Sequence, residues 1–464
     1  MLNNSRTIRL LGMMDKSFYK AVLAIALPVS MQGLISVGVN MMDTVMLGQL
    51  GETALSASSL ANQFIGVFQI LCTGIGMGSS IMTARFWGAK DHDSTKKAVT
   101  VMYRFTFLLI TIFFGVTLAA PEKIMRLYTT DPAVIREGAR YLSWSLPSYF
   151  LLAYSLATTN ALRTIGKVRI PLYSSILCFF TNVFFNWIFI YGKLGAPEMG
   201  VAGAALGTTL SRIIEFGIIC GYFLFVEKDL AYRLKDLNLP CGAFLPGYLR
   251  LCIPVLITDS MLAQGNQLTT MIIGRIGTEF VSANAITSVT VHLATIFVMG
   301  VSNAAGVITG NTLGAGNRDR AQRGGMAFFI LGTIIGLIGA LFVVVVGRHS
   351  LAIYNIGDIT AGIADQLMLA VAITTVFQSS NSILTKGVLR AGGDTRFLMI
   401  IDAVFFWLLA LPLGYFAGLV WRISPFLIYI CLRIDQIIKA VVCVFRLASG
   451  KWIKRLMSVE QDNA

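Results

Sequence analysis

The first half of this chain is written again in its second half, in one register. A shift of 226 positions carries Pro28 onto Pro254, Asn40 onto Asn266, Thr44 onto Thr270, Gly48 onto Gly274 and Gly51 onto Gly277. The same shift carries Ser56-Ala57 onto Ser282-Ala283, Gly74 onto Gly300 and Gly88-Ala89 onto Gly314-Ala315. Further on the shift becomes 227, and Leu162-Arg163-x-x-Gly166-x-x-Arg169 matches Leu389-Arg390-x-x-Gly393-x-x-Arg396. Two copies of one helical unit in an apolar chain is how many carriers are built, with the solute path between the copies. The repeat points to transport before any site is considered.

The unit is helical and sits in lipid. Apolar residues make up 56% of the chain and charged residues 13%, where a soluble domain carries roughly 25% charged residues. About twelve windows are long and apolar enough to cross a hydrocarbon core: 18–46, 54–83, 98–119, 138–161, 168–191, 200–226, 248–274, 279–312, 322–346, 362–387, 397–418 and 425–447. The fold class expected is therefore an all-α integral membrane protein with two pseudo-symmetric six-helix lobes. The first apolar run is too long for a signal peptide and no small-x-small cleavage site follows it. The formal charge of +14 would suggest nucleic acid for a soluble chain, but here its distribution decides otherwise. Most Lys and Arg fall in the N-terminal tail (Arg6, Arg9, Lys16, Lys20), in alternate loops around Arg85, Arg163, Lys228, Arg318 and Arg390, and in a C-terminal group (Lys439, Arg446, Lys451, Lys454, Arg455). That bias places both termini in the cytoplasm. The seven cysteines and three histidines show no metal or disulfide spacing.

The longest polar interruption, 227–247, contains Pro240, Gly242, Pro246 and Gly247 and separates the repeats. The expected organisation is a cytoplasmic tail 1–17, an N-lobe 18–226, a cytoplasmic linker 227–247, a C-lobe 248–447 and a second cytoplasmic tail 448–464. Small residues recur four apart at the inner end of the second helix (Ser80, Ala84, Gly88) and at the equivalent place in the second repeat (Gly306, Gly310, Gly314). Such faces let helix backbones approach closely. Pro28 and Pro254 each remove one backbone hydrogen bond from equivalent helices.

Several stretches resemble the multidrug and toxic compound extrusion (MATE) family over roughly 18–447 of the chain. They are Asn40-Met-Met-Asp43-Thr-Val-Met-Leu-Gly48, Arg85-Phe-Trp-Gly88-Ala-Lys90, Leu162-Arg163-Thr-Ile-Gly166, Asn182-Val-Phe-Phe-Asn186-Trp, the run Tyr191 to Gly203, and Gly387-Val-Leu-Arg390-Ala-Gly-Gly-Asp394-Thr. The resemblance implies two six-helix lobes around a central cavity and export driven by an inward Na⁺ or H⁺ gradient.

Asp43 lies inside an apolar run, where a carboxylate is costly unless paired, wetted or functional. Such a group holds a proton, a Na⁺ or a cationic solute in turn, which is what an antiporter needs; the bland reading is a capped carboxylate near the interface. Matching aspartates in the MATE family are coupling residues. Asn182 and Asn186, four apart, share one helix face, and with Thr208 they would offer oxygen ligands to a cation beside Asp43. The bland reading for the amides is interhelical hydrogen bonding. Many family members carry aspartate where Asn186 stands, so Asp43 is left as the sole titrating group of this N-lobe set. In the second repeat Asp259 is a candidate counter-charge or a paired structural group, with Asn266, Gln378 and Asn381, and Asn40 of the first helix, as further polar cavity candidates. The family's glutamate on the seventh helix falls near Leu262 and its aspartate on the tenth near Phe377–Asn381, so the C-lobe cation site is at most half present. Arg212 and Glu215, three apart, read as a structural pair.

The function expected is a secondary antiporter exporting cationic, amphipathic compounds from a bacterial-type inner membrane. Its expected partners are a small organic solute and the lipid bilayer, with no nucleic acid, for a monomeric chain. No cofactor is expected beyond transported Na⁺ or H⁺, with Asp43 as the Na⁺ ligand. A lipid-linked oligosaccharide flippase of the same architecture would need a central basic cluster, whereas the charges placed mid-membrane here, Asp43 and Asp259, are acidic. A multipass membrane enzyme would need a His or Asp dyad and a larger polar loop.

Overall fold

The computed structural model describes residues 14–347 and 357–454. Arg6, Arg9, His349, Arg455 and most of the two tails lie outside the described residues. Twelve long helical segments follow one another, and no strand occurs among the described residues. The first repeat supplies α1 (Lys16–Gly48), α2 (Glu52–Gly88), α3 (His92–Ala119), α4 (Pro132–Thr164), α5 (Arg169–Tyr191) and α6 (Val201–Val226). The second supplies α7 (Leu245–Ile276), α8 (Thr278–Gly314), α9 (Arg318–Gly347), α10 (Asp358–Leu389) and α11 (Thr395–Val420). It ends in α12, broken at Arg433 into Pro425–Leu432 and Ile434–Ala448.

Local chemistry sets the ends. Asp91 accepts from Ser94 N at 2.9 Å to start α3, and Asp131 accepts from Ala133 N at 2.8 Å with Pro132 in the first turn of α4, each satisfying a donor the helix leaves free. The Leu-Arg-x-x-Gly motifs close α4 and α10 in the same way. Gly166 and Gly393 take φ of 81° and 79°, a left-handed turn that favours glycine. In each, the amide four residues after the Arg (Lys167, Asp394) returns to the carbonyl of the preceding Leu (Leu162, Leu389). The sequence repeat is thus a repeat of backbone geometry.

Ten segments pass length and hydropathy criteria for crossing a membrane. The other two are α4, diluted by Arg136, Glu137, Arg140 and several hydroxyl and amide residues, and the broken α12. Leu23, Met41, Phe107, Phe180, Leu341, Leu408 and Phe445 are all more than half exposed. Apolar side chains in that number facing outward suit hydrocarbon rather than water.

Packing divides the chain into two compact units that do not follow the sequence repeat boundaries. One comprises Met31–Thr83 and Asp91–Cys252; the other holds α1 up to Ser30, Ala84–Lys90 and the chain from Ile253 onward. The helices that begin each repeat change unit near their prolines: α1 just after Pro28 and α7 just before Pro254. In the second unit, Gly310 faces Ala84, Gly314 lies against the Arg85 backbone and Gly88 against the Asn311 backbone, so the small-residue faces are packing surfaces. In the first unit, the stretch 227–247 is not slack. Glu227, 1% exposed, accepts from the amides of Asp229, Leu230 and Ala231, and Tyr232 and Thr100 share a hydrogen bond of 2.8 Å.

Candidate functional site

In the first unit, α5 and α6 come together because α6 has no side chain at Gly203 and Gly207. A Cβ at Gly203 would strike Phe189, and one at Gly207 would strike the Asn186 amide. This approach lets the fifth-helix amides meet both α1 and α6. Asn186 Nδ2 donates to Asp43 Oδ1 at 2.6 Å and to Asn182 Oδ1 at 3.4 Å, and Asn182 Nδ2 donates to Thr208 Oγ1 at 3.3 Å. All four residues named from sequence are therefore brought into one chain of hydrogen bonds. Asn182 and Asn186 are 1% and 0% exposed, whereas Asp43 is half-buried. Asn186 Oδ1 is buried and accepts no hydrogen bond. A buried polar oxygen without a donor costs free energy, and together with a half-wet carboxylate it makes a set that a hard cation would complete. Arg212 is bonded to Glu215, as the sequence spacing suggests, and its charge also acts on Asp43. Asn40 is exposed on α1, three residues before Asp43, and its carbonyl accepts from Thr44.

The candidates of the second repeat do not gather into one such cluster. Asp259 is committed to Arg390, which donates at 3.0 and 3.3 Å to its two oxygens. Of its two sequence readings, the structure has the paired one. Asn266 Oδ1 accepts from Arg433 at 3.2 Å, and Asn381 donates to Gln436 Oε1 at 2.8 Å. Gln378 is half-buried one turn before Asn381.

Several basic residues that the sequence counts on the cytoplasmic side are interior. Arg163 donates to Gln32 Oε1 at 2.6 Å, Arg85 is 8% exposed and donates to Ala391 O at 2.9 Å, and Lys439 is 1% exposed. Lys386, also on α10, is exposed, although the charges of Asp259, Arg390, Asp402 and Lys439 act on it. The interior is therefore not predominantly acidic. The residues missed were Asp402, Asp435 and Lys439, which form buried ion pairs at 2.7 and 2.8 Å. Two signals were readable: Asp402 interrupts an apolar run just as Asp43 does, and Asp435 and Lys439 stand four apart on one helix face.

Twelve long helices in two repeated sets of six, ten of them apolar enough to cross a membrane, with a polar cluster inside the first unit, define a multi-pass membrane carrier. The chain belongs to the MatE family, whose model matches residues 28–188 and 254–416. It is 27% identical over 447 residues to a probable multidrug resistance protein NorM of Thermotoga maritima, covering 94% of this chain and 93% of the relative. It is 24% identical over 412 residues to the multidrug resistance protein MdtK of Yersinia enterocolitica, covering 88% and 89%. Among solved structures it resembles an outward-facing multidrug resistance MATE transporter of the MOP superfamily, with a TM-score of 0.83 at 18% identity over 93% of this chain and 96% of that one. A MOP superfamily transporter from Pyrococcus furiosus gives 0.82 at 19% identity, over 93% and 96%. At these identities the solved structures speak for the fold.

Proposed function

We propose that this chain is a secondary active exporter that moves organic, cationic, amphipathic compounds outward in exchange for Na⁺ or H⁺. The observation that carries the reading is the set Asp43–Asn186–Asn182–Thr208, with its half-buried carboxylate and the unpartnered Asn186 oxygen. A cation bound there would satisfy both at once and neutralise Asp43; its release leaves a carboxylate able to receive a cationic solute. With Asn at position 186, two carboxylates cannot share a proton, and Asp43 carries the exchange by itself. The preference for cationic cargo rests on Asp43, since the acids of the second repeat have basic partners.

The multidrug names of the NorM and MdtK relatives support drug-like cargo. Their bacterial sources support an inner-membrane location, and the loop charges that remain outside the helices support cytoplasmic termini. Alternating access would expose the site to each side in turn, and the chain would act as a monomer without any chemical step on its cargo.

The test is dye movement in liposomes holding the purified protein, under a Na⁺ gradient alone and then a proton gradient alone, for the wild type and Asp43→Asn. Transport that needs one gradient and disappears in the variant is the expected result. Dye movement that ignores both gradients, or that survives Asp43→Asn, overturns the reading.

A further inference from the structure

The residues that follow α12, 449–454, lie across the ends of several helices. Trp452 is 0% exposed, although Lys451 and Lys454 on either side of it are exposed. Its indole donates to Gln322 Oε1 on α9 at 2.7 Å, and Gln322 Nε2 donates to Leu447 O on α12 at 2.6 Å. The Lys454 amide donates to Gly392 O, in the turn between α10 and α11, at 2.9 Å. Arg85, in the last turn of α2, donates to Lys454 O at 2.7 Å and to Ala391 O at 2.9 and 3.1 Å. Asp394 accepts from Arg446 at 2.7 Å and lies 3.6 Å from the Lys454 ammonium. Six residues thus tie α2, α9, α12 and the α10–α11 turn together, and all of these lie in one compact unit.

The Trp452 ring has a place to lie because position 392 carries no side chain. A Cβ at Gly392 would strike both the ring and the Trp452 carbonyl. The left-handed turn that closes α10 is made by Gly393, at φ 79°, and does not need a second glycine before it. The first repeat is built the other way. The shift of 227 carries Ile165 onto Gly392 and Phe225 onto Trp452. Ile165 is 6% exposed and Phe225 is 71% exposed. A side chain there stands where the second repeat leaves room, and the aromatic ring stays outside. Gly393 serves a turn that both repeats share; Gly392 serves the segment 449–454.

Arg85 gives this segment its consequence. It belongs to a first-repeat helix, yet the end of that helix, from Ala84, packs with the second repeat. Its guanidinium donates to neutral carbonyls, whereas Asp394 in the same turn is held by Arg446 and Lys454. Bonds to carbonyls are given up to water at lower cost than a buried ion pair. We propose that residues 449–454 are a detachable strap: docked, they fasten the end of α2 to the second repeat through Arg85, and lifted, they free it for the step that opens the cargo site to the cytoplasm. The docking stands by itself. The release step rests on the export reading, in which the site faces each side in turn.

The test reads release as trypsin cleavage after Lys451, in the full chain in detergent, followed by the mass of the intact protein. Lys451 is exposed but its neighbour Trp452 is buried, so a protease reaches the bond between them only when the strap lifts. Gly392→Ala leaves the cleaved sequence unchanged and is expected to raise the rate about tenfold, the low end of what overpacking costs. Trp452→Ala should act in the same direction. Both variants should stay monodisperse with a thermal midpoint close to that of wild type. Cleavage no faster than in wild type overturns the docking. Loss of folding in both variants overturns it as well, because the segment would then be part of the core. Tetraphenylphosphonium, an organic cation, tests the release step. It is expected to speed cleavage of wild type about fivefold and, by reciprocity, to bind Gly392→Ala more tightly by a similar factor. Binding of this cation with neither change overturns the release step and leaves the export reading untouched. If wild type does not bind it, the cationic-cargo reading falls instead, and the strap stands or falls on the cleavage rates of the two variants.

Discussion

The two repeats treat their membrane-embedded aspartates in opposite ways. In the first, Asp43 touches a neutral amide, Asn186, and the nearest base, Arg212, is bonded to Glu215. In the second, Asp259 is held by Arg390 and Asp402 by Lys439. The register explains the difference. The position equivalent to Asp43 is Thr269, 4% exposed, whose hydroxyl turns back to the Gly265 carbonyl at 3.0 Å. The positions equivalent to Asn182 and Asn186 are Leu409 and Leu413. The second repeat lacks the amide-and-carboxylate set and holds ion pairs elsewhere. An acid held by a neutral donor keeps a charge that it can give to a passing cation. An acid already paired with a base has little to offer unless a second acid competes for that base.

Breaking the second-repeat pairing should have the largest effect on stability. Lys439→Met leaves Asp402 and Asp435 facing one another without a base, and losing one partner of a buried pair costs about 3–5 kcal/mol. The variant is expected to aggregate or to melt far below wild type in detergent, and Asp435→Asn added to it should recover part of the loss. Arg390→Gln is expected to cost about 3 kcal/mol by stranding Asp259, with recovery in the double variant Asp259→Asn/Arg390→Gln. If these single variants melt like wild type, the pairing is not structural and the contrast between the repeats fails.

Asp43→Asn should do the reverse, abolishing gradient-driven transport while shifting stability by less than about 1 kcal/mol. The side chain keeps its shape, and its partner is an amide that an Asn can also satisfy. A thermal midpoint near wild type together with lost transport is the expected pair of results. A large drop in the midpoint would mean that Asp43 is structural, like the acids of the second repeat.

The fold and the grouping of Asp43, Asn182, Asn186 and Thr208 were legible in the sequence, whereas the second-repeat ion pairs were not. Hydropathy windows, the repeat and the Gly and Pro positions report on local chain properties, and α1 to α12 follow from them. Asp43, Asn182, Asn186 and Thr208 stood out as polar residues inside apolar runs, at depths that a helix-by-helix count could match. Arg163 and Arg390 escaped because each stands just past the end of an apolar run, where a base reads as part of a loop, and Lys439, inside the run 425–447, was counted with the C-terminal basic group. Their inward turn depends on acceptors far along the chain: Gln32 lies 131 residues before Arg163, and Asp259 lies 131 before Arg390. Nothing local announces such partners.

Gly207→Ala tests how the first-repeat site is held in place. The added Cβ would meet the Asn186 oxygen and the backbone of α5, so the helices must part or the amide must turn away from Asp43. Overpacking of this kind costs about 1–3 kcal/mol, and transport is expected to fall further than the change in stability accounts for. Transport and stability falling in proportion would show that the amide has no role beyond packing.

The smallest effect is expected at an ion pair that neither repeat buries. Lys167, in the turn after α4, lies 2.7 Å from Asp229, with side-chain exposures of 37% and 53%. The bond that the Lys167 ammonium donates to Asp229 holds it above the ordinary lysine value. A base whose folded value is raised contributes stability that is full below its unfolded value and is lost as pH rises through the folded one. This contribution is therefore constant through neutral pH and disappears only in strong alkali, above about pH 10. Water and salt screen so exposed a pair, and Asp229→Asn should cost less than about 1 kcal/mol near neutrality, less still in high salt. The same kind of pair at Asp259–Arg390, with side chains 18% and 6% exposed, should be several times more sensitive and nearly indifferent to salt. Equal costs at the two places would show that burial does not set the difference, and the contrast between a free acid and a paired one would need another cause.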